Sequence, residues 1–113
     1  MPAYLIARID VTDPEQYAEY TKHTPRIIDR FGGRFIARGG NVTTLEGEPE
    51  TRRVVVLEFP SLEVAQQFYD SEEYGHAKAI RAGAAEGDFI LVDSMPDDAW
   101  RAAVEAASHH SLP

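Results

Sequence analysis

The sequence contains no cysteine and few basic residues. Without cysteine the chain has no disulfide, no thiolate nucleophile and no cysteine-based zinc site. The 11 lysines and arginines stand against 19 aspartates and glutamates, which gives a formal net charge of −8. A negative surface repels the phosphates of nucleic acids and of anionic membranes. We therefore expect neither a nucleic acid nor a membrane as a partner.

A long hydrophobic run is also missing. The apolar residues near the N-terminus are soon followed by Arg8 and Asp10, and no basic segment precedes them. A secretory leader or a membrane-spanning helix needs a longer uncharged stretch. The sequence therefore predicts a cytoplasmic protein. A length of 113 residues leaves room for a single hydrophobic core.

The residues that are present follow the order strand, helix, strand, strand, helix, strand. The first helix is predicted to begin at the N-cap Asp13, with Gln16 closing a capping box. Strands are predicted over 3–9, 34–38, 53–59 and 88–92, and helical segments over 13–31, 61–69 and 72–82. This order predicts an α+β, ferredoxin-like βαββαβ domain over 1–95, with the helices on one face of an antiparallel sheet. Residues 96–113 are predicted to form a separate helical tail, in which we assign no role to His109 and His110.

Two glycines follow the second predicted strand. Gly39 and Gly40 are expected to make a bulge or bend, with at least one of them at positive φ. Residues 42–46 are then expected to continue the strand, and residues 47–51 to form a hairpin loop.

The predicted third strand, 53–59, is apolar on both of its faces. Val55 and Leu57 lie on one face, while Val54 and Val56 lie on the other. A sheet with helices on only one side normally has a polar second face. We therefore expect a second copy of the chain to cover this face in a homodimer, with two sheets packed against each other. The alternative is that the C-terminal tail covers the face within one chain.

Several short motifs resemble the family called domain of unknown function 1330. They are Gly32-Gly33-Arg34-Phe35-Ile36-Ala37-Arg38-Gly39-Gly40, Leu45-Glu46-Gly47, Glu58-Phe59-Pro60-Ser61, Phe68-Tyr69-Asp70-Ser71, Glu73-Tyr74 and Arg81. The resemblance covers roughly residues 3–95 and leaves the tail outside. It implies the dimeric α+β barrel superfamily, in which two ferredoxin-like sheets face each other, and it implies no particular reaction.

The wider superfamily includes haem-degrading monooxygenases, lactone isomerases and polyketide cyclases. The haem-degrading members use a set of asparagine, tryptophan and histidine. Here the single tryptophan is Trp100, which lies in the tail. We therefore expect no haem and no other cofactor.

Charged and aromatic residues on one strand face suggest a binding site. Alternation along the first strand places Tyr4 and Arg8 on the same face. Arg38 and Glu58, at the ends of their strands, are expected to join that face. A guanidinium group binds a carboxylate or enolate, and a nearby carboxylate moves a proton. The alternative is a structural ion pair or plain surface charge.

Three further residues are candidates for the site. Tyr69 and Tyr74 follow the apolar stripe of a helix, and their hydroxyl groups are expected at the mouth of a pocket, unless they serve only in packing. His23 is a candidate acid–base group because histidine titrates near neutral pH. Neither His23 nor His76 has the spacing of a metal ligand, so no metal site is predicted.

Two classes of function remain open. The first is a cofactor-independent enzyme, an isomerase, a cyclase or a related proton-transfer enzyme, acting on a small organic acid or a polyketide-like molecule. The second is a non-catalytic dimeric module that binds a ligand or has a structural role. A small anionic molecule is the expected ligand in the first case.

Overall fold

The computed structural model describes residues 1–108, and the two C-terminal histidines, His109 and His110, lie outside the described residues. The elements are β1 (Ala3–Val11), α1 (Pro14–Arg30), β2 (Arg34–Arg38), β3 (Arg53–Phe59), α2 (Leu62–Asp70), α3 (Glu72–Arg81), β4 (Ala85–Asp93) and α4 (Asp97–Ser108). The predicted order of strands and helices is confirmed. No helix within residues 1–108 is long and apolar enough to cross a membrane.

The four strands form one antiparallel sheet in the order β2-β3-β1-β4, which is the ferredoxin-like arrangement. Alternation along the strands gives the sheet two faces. The helix face carries the buried side chains of Leu5, Ala7, Ile9, Val55, Leu57 and Phe59. The open face carries Tyr4, Ile6, Arg8, Val54, Val56, Glu58, Ile90 and Val92. The first three helices supply the side chains that cover the helix face, among them the fully buried Phe68.

The helix α1 has the predicted N-cap, but the side chain of Gln16 makes other hydrogen bonds than the predicted one. Asp13 is the N-cap, since its carboxylate accepts a hydrogen bond from the backbone N–H of Gln16 at 3.2 Å. The side chain of Gln16 does not close a capping box. Its Nε2 donates instead to the carbonyl oxygens of Ile80 and Ala82, at 2.7 and 3.3 Å. The last carbonyl groups of a helix lack partners within it, so Gln16 satisfies the end of α3.

Two predicted strand boundaries are wrong. Residues 42–46 do not continue β2, because residues 39–52 form a connection without a strand. The last strand begins at Ala85 instead of residue 88 and contains Gly87. A Cβ atom at Gly87 would collide with the carbonyl oxygen of Arg8 on β1. The glycine therefore lets the strands approach closely, a role that its position between two turn-like residues did not reveal.

No residue of the described part of the chain, 1–108, covers the open face. The side chains of Ile90 and Val92 are 52% and 44% exposed, although both are apolar. The tail helix α4 does not cover this face, because none of its residues is buried, and Trp100 remains 61% exposed. The alternative that the tail covers the open face within one chain is therefore not what the structure contains.

Candidate functional site

A small cavity lies between the helix face of the sheet and the helices. Its volume is about 40 Å³, and its walls are mainly apolar side chains from the core. The polar groups that line it are Tyr17, Tyr20, Thr21, Thr24, Arg38, Arg53 and Tyr74. Among the residues that the structure describes, no carboxylate and no histidine lines this inner cavity. Its walls therefore combine an apolar body with two cationic groups, a lining that favours an anion with an apolar part.

Arg38 reaches the inner cavity because β2 contains an irregularity. Arg34 pairs with Glu58 and Phe35 with Leu57, but the next pair is Ala37 with Val56, so Ile36 is an extra residue. A bulge of this kind inverts the alternation of side chains beyond it. Arg38 then pairs with Val55 and shares the helix face. The expectation that Arg38 and Glu58 lie on one face is therefore corrected, because they lie on opposite faces of the sheet.

The guanidinium group of Arg38 binds a backbone carbonyl group of α1 that a proline leaves without its helical donor. Pro25 has no backbone N–H, so the carbonyl oxygen of Thr21, four residues earlier, has no partner of the usual helical kind. That oxygen accepts a hydrogen bond from Nη2 of Arg38 at 3.0 Å. The guanidinium carbon of Arg38 also lies 4.3 Å from the centre of the Phe35 ring. Arg38 thus connects the end of β2 to α1 at the edge of the inner cavity.

Arg53, the first residue of β3, is the second cation in the lining. Its guanidinium carbon lies 5.8 Å from the centre of the Tyr17 ring. Its Nε is buried and has no hydrogen-bond partner among the described residues. Gly39 makes room for this side chain, since its φ is +67° and a Cβ atom there would collide with the guanidinium group. The prediction of positive φ at one of the paired glycines is confirmed at Gly39.

Two buried tyrosines form the polar floor of the inner cavity. The hydroxyl oxygens of Tyr20 and Tyr74 are 2.8 Å apart. Nη2 of Arg81, at the end of α3, lies 3.4 Å from the Tyr74 hydroxyl. Burial raises the pKa of Tyr20 well above its usual range, and burial also raises the pKa of Tyr17. Both groups are therefore neutral hydrogen-bond donors at physiological pH.

Three of the predicted site residues lie on the open face, away from the inner cavity. Tyr4 and Glu58 are cross-strand partners, and Glu58 accepts a hydrogen bond from Nε of Arg34 at 3.2 Å. Arg8 is exposed, and its position on β1 lies opposite that of Asp88 on β4. The structure therefore brings Tyr4, Arg8 and Glu58 together on one face, but without Arg38.

The other two candidates outside the cavity are on the helices. His23 is exposed on α1 and lines a surface groove together with His76, Arg26 and Glu73. Tyr69 is half-buried, and the centre of its ring lies 5.3 Å from that of Tyr74. Tyr74 is thus the one predicted tyrosine that lines the inner cavity. No group of three or more potential metal ligands occurs within residues 1–108.

Four residues at or beside the cavity were not predicted from the sequence: Tyr17, Tyr20, Arg53 and Arg81. Tyr17 and Tyr20 follow the apolar stripe of α1, where a sequence pattern cannot distinguish a packing tyrosine from a functional one. Arg81 carried a stronger signal. It lies seven residues after Tyr74, on the buried side of α3, where a charged residue is unusual.

The sequence and the fold both have known counterparts. The model of the family described as "Domain of unknown function (DUF1330)" matches residues 2–95. A protein of unknown function from Rhodopseudomonas palustris has a similar structure, with a TM-score of 0.67 and 20% identity, over 84% of this chain and 83% of that one. A comparison with curated proteins finds no match.

More distant structures share the fold. SnoaB, described as a cofactor-independent oxygenase from Streptomyces nogalater, has a TM-score of 0.58 and 12% identity, over 84% of this chain and 94% of that one. A dimeric ferredoxin-like protein of unknown function from Thermobifida fusca has a TM-score of 0.52 and 15% identity, over 83% of this chain and 92% of that one. At these identities the likeness establishes the ferredoxin-like fold.

Proposed function

Since the chain belongs to the family described as domain of unknown function (DUF1330), which names no reaction, we propose its function from the inner cavity. The proposal is that the protein binds a small organic acid as its anion and catalyses proton transfer on it without a cofactor, with the proton passing to the carboxylate of the acid itself or to a water molecule that enters with it. Isomerisation and cyclisation through an enolate are the reactions of this class. The observation that carries the proposal is a cavity lined by two arginines and three tyrosines and, among the described residues, by no carboxylate.

The charge of the lining supports an anionic ligand. The buried Nε of Arg53 has no hydrogen-bond partner within residues 1–108, and an unpaired buried donor favours an acceptor from a ligand. Arg38 adds a second positive charge at the cavity edge, where it is also bound to Thr21. Guanidinium groups remain charged at all physiological pH values, so the site suits a carboxylate or an enolate.

The tyrosines support proton transfer over simple electrostatic binding. An enolate oxygen carries more negative charge than the ketone oxygen from which it forms, so fixed donors stabilise it selectively. Tyr17 and Tyr20 supply such donors inside an apolar enclosure, and Tyr74 is hydrogen-bonded to Tyr20. Glu58 and His23 were predicted as proton carriers, and that role is still a proposal. Both residues lie away from the inner cavity. The fold of the neighbour described as a cofactor-independent oxygenase is compatible with this chemistry.

A non-catalytic ligand-binding module is the second candidate. One observation favours it: no described side chain in the lining is a carboxylate or an imidazole, the usual acceptors of a proton near neutral pH. A cavity of about 40 Å³ also holds only a few water molecules in this conformation. An organic acid therefore requires the side chains at the edge, Arg38 first among them, to move outward.

We also propose that the protein is a homodimer in which two open faces pack together. Ile90 and Val92 extend the apolar surface of Val54 and Val56 across the sheet. Burial of such a surface is the main source of free energy for association. The structural neighbour from Thermobifida fusca is described as dimeric, which supports the proposal by analogy.

The function is tested by NMR titration with two acid–amide pairs, acetate with acetamide and benzoate with benzamide. The wild type is expected to bind each acid more tightly than its amide. Arg53→Met should weaken acid binding by about tenfold or more, because it removes a charge-assisted contact. Arg101→Met, an exposed arginine on α4, is the matched control and should bind like the wild type. Equal affinity for acid and amide would contradict the proposal.

Catalysis is separated from binding by deuterium exchange. Pyruvate in D₂O exchanges its methyl protons through the enol, and the signal loss is followed by proton NMR. An enzyme of the proposed class accelerates this exchange, and Arg53→Met abolishes the acceleration. Binding of the acids without any acceleration would favour the non-catalytic module.

A further inference from the structure

Arg81 is a buried cation without an acidic partner. It is only 9% exposed, and no ion pair within residues 1–108 includes it. Its guanidinium carbon lies 4.5 Å from the centre of the Phe89 ring, and its Nε has no hydrogen-bond partner among the described residues. A buried charge is costly unless something else compensates it. The described hydrogen-bond partner of this guanidinium group is the Tyr74 hydroxyl.

The chemistry of arginine fixes the direction of one of the two hydrogen bonds. A guanidinium group only donates, so the Tyr74 oxygen accepts from Arg81. The hydroxyl oxygens of Tyr74 and Tyr20 are 2.8 Å apart, and either hydroxyl can be the donor. Cooperativity favours donation from Tyr74 to Tyr20, because a hydroxyl that accepts from a cation becomes a better donor. In that arrangement the proton of Tyr20 points away from Tyr74.

Within residues 1–108 the hydroxyl of Tyr20 is hydrogen-bonded to Tyr74, the guanidinium group of Arg81 lies nearby, and Tyr20 lines the inner cavity. Tyr20 is only 7% exposed, and a buried hydroxyl group seeks an acceptor. We propose that Tyr20 donates a hydrogen bond to the anionic oxygen of the bound acid, and that Arg81 acts on this bond through Tyr74. Tyr20 is then a ligand-binding residue, and Arg81 and Tyr74 are positioning residues. The inference rests on the proposed function, since it names the donor for the same anion.

Anion selectivity tests the role of Tyr20. We use the acid–amide pair that the wild type binds more tightly, acetate with acetamide or benzoate with benzamide. Tyr20→Phe keeps the ring and should lower acid affinity by about tenfold or more, with a smaller loss for the amide, because hydrogen bonds to charged acceptors are stronger. Arg81→Gln should shift selectivity in the same direction, and Arg81→Lys should restore part of it. An equal loss for both probes indicates a merely structural role and would overturn the inference.

The two proposals fail in different ways. If the acid binds through Arg53 but Tyr20→Phe binds it as well as the wild type, the proposed function stands and this inference is wrong. If no acid binds the wild type, both assignments of a ligand are wrong.

A ligand-free measurement tests the relay itself. Urea unfolding of single and double variants gives the coupling between Arg81→Gln and Tyr20→Phe. The relay predicts a coupling when Tyr74 is present and none in a Tyr74→Phe background, because the Tyr74 hydroxyl carries the interaction. The same coupling in both backgrounds would show that Arg81 acts on Tyr20 directly, through the ring that lies 5.5 Å from its guanidinium carbon.

Discussion

The two faces of the sheet are both largely apolar, but the helices cover only one of them. The covered face is the hydrophobic core, and it encloses two arginines and three tyrosines around a cavity. The open face, which no residue within 1–108 covers, carries the valines and isoleucines of β1, β3 and β4 beside Arg8 and Glu58. In most antiparallel sheets the covered face is apolar and the uncovered face is polar.

The two faces therefore suit different kinds of binding. Nε of Arg53 and Nε of Arg81 are buried and have no hydrogen-bond partner among the described residues. They lie on the side of the sheet from which the helices exclude water. A polar ligand group is bound most strongly in such a place. Apolar side chains lie where solvent reaches the single chain, which is where a second protein surface gains most by covering them. The helix face therefore suits chemistry, and the open face suits association.

The largest effect is expected from the same substitution on each face of β3. Val55 is buried on the helix face, and its neighbour Val56 lies on the open face. Val55→Asp should unfold the chain, because it buries an unpaired charge at a cost of several kcal/mol. Val56→Asp should leave the chain folded but monomeric. Circular dichroism and light scattering measure the two outcomes against a wild-type mass of twice 12.6 kDa.

Val56→Thr is the control for Val56→Asp, because it keeps the shape of the side chain and adds no charge. A wild type that stays monomeric in light scattering would remove the open face as an association surface. Unfolding by both aspartate variants would show that the two faces contribute alike to the single chain.

The two faces were predictable from sequence along β1 and β3, since their strict alternation assigns each side chain to a side. The same rule failed in β2. The bulge at Ile36 is a property of the pairing between strands, and nothing in the residues 34–38 reveals it. The inner cavity could not be predicted from the sequence either, because it depends on how α1 and α3 cross the sheet. Tyr74 was found because it is aromatic, while Arg53 looked like an ordinary strand end.

A second prediction concerns the connection between β2 and β3. Gly39→Ala should lower the free energy of unfolding by about 1–2 kcal/mol, because a side chain is strained at this positive φ and would collide with Arg53. Gly40→Ala is the matched control, since no atom lies within 4 Å of a Cβ there. Urea unfolding measures both variants. Equal stability of the two would mean that Arg53 does not depend on the space at Gly39.

A third prediction separates the structural role of Arg38 from its role in binding. Arg38→Ala should cost about 1 kcal/mol, because it removes the shorter of two hydrogen bonds to the carbonyl oxygen of Thr21 and leaves that from the hydroxyl of Thr24 at 3.4 Å. In a Pro25→Ala background the restored N–H at residue 25 can pair with the same oxygen. The cost of Arg38→Ala should therefore fall in that background. A cost that is identical in both backgrounds would show that Thr21 does not hold Arg38.

The same Arg38 variants sharpen the ligand proposal. Arg38→Ala should weaken binding of benzoate by about tenfold or more, and Arg38→Lys should fall between it and the wild type, because lysine keeps the charge without the planar fork. Pro25→Ala keeps Arg38 but frees it from Thr21, so it should leave the charge selectivity intact. Calorimetry on these variants distinguishes a ligand contact from an anchor, since an anchor alone would not distinguish benzoate from benzamide.

The smallest expected effect is at the edge of the open face, where Arg52 binds Glu50 and Asp88. Hydrogen bonds from the side chain and the backbone N–H of Arg52 lower the pKa of Glu50 from its ordinary value of 4.5 to about 2. Because the folded pKa is depressed, the unfolded chain binds the proton first as the pH falls. The stabilisation is therefore complete above about pH 4.5 and is lost progressively towards about pH 2.

Glu50→Gln removes this dependence and serves as its test. The difference in urea midpoint between the wild type and the variant should be largest near neutral pH and should vanish as the pH approaches about 2. It should also shrink in about 1 M salt, because the pair lies where solvent screens it. A difference in midpoint that stays constant over this range of pH would mean that the charge of Glu50 does not contribute to the stability of this contact with Arg52.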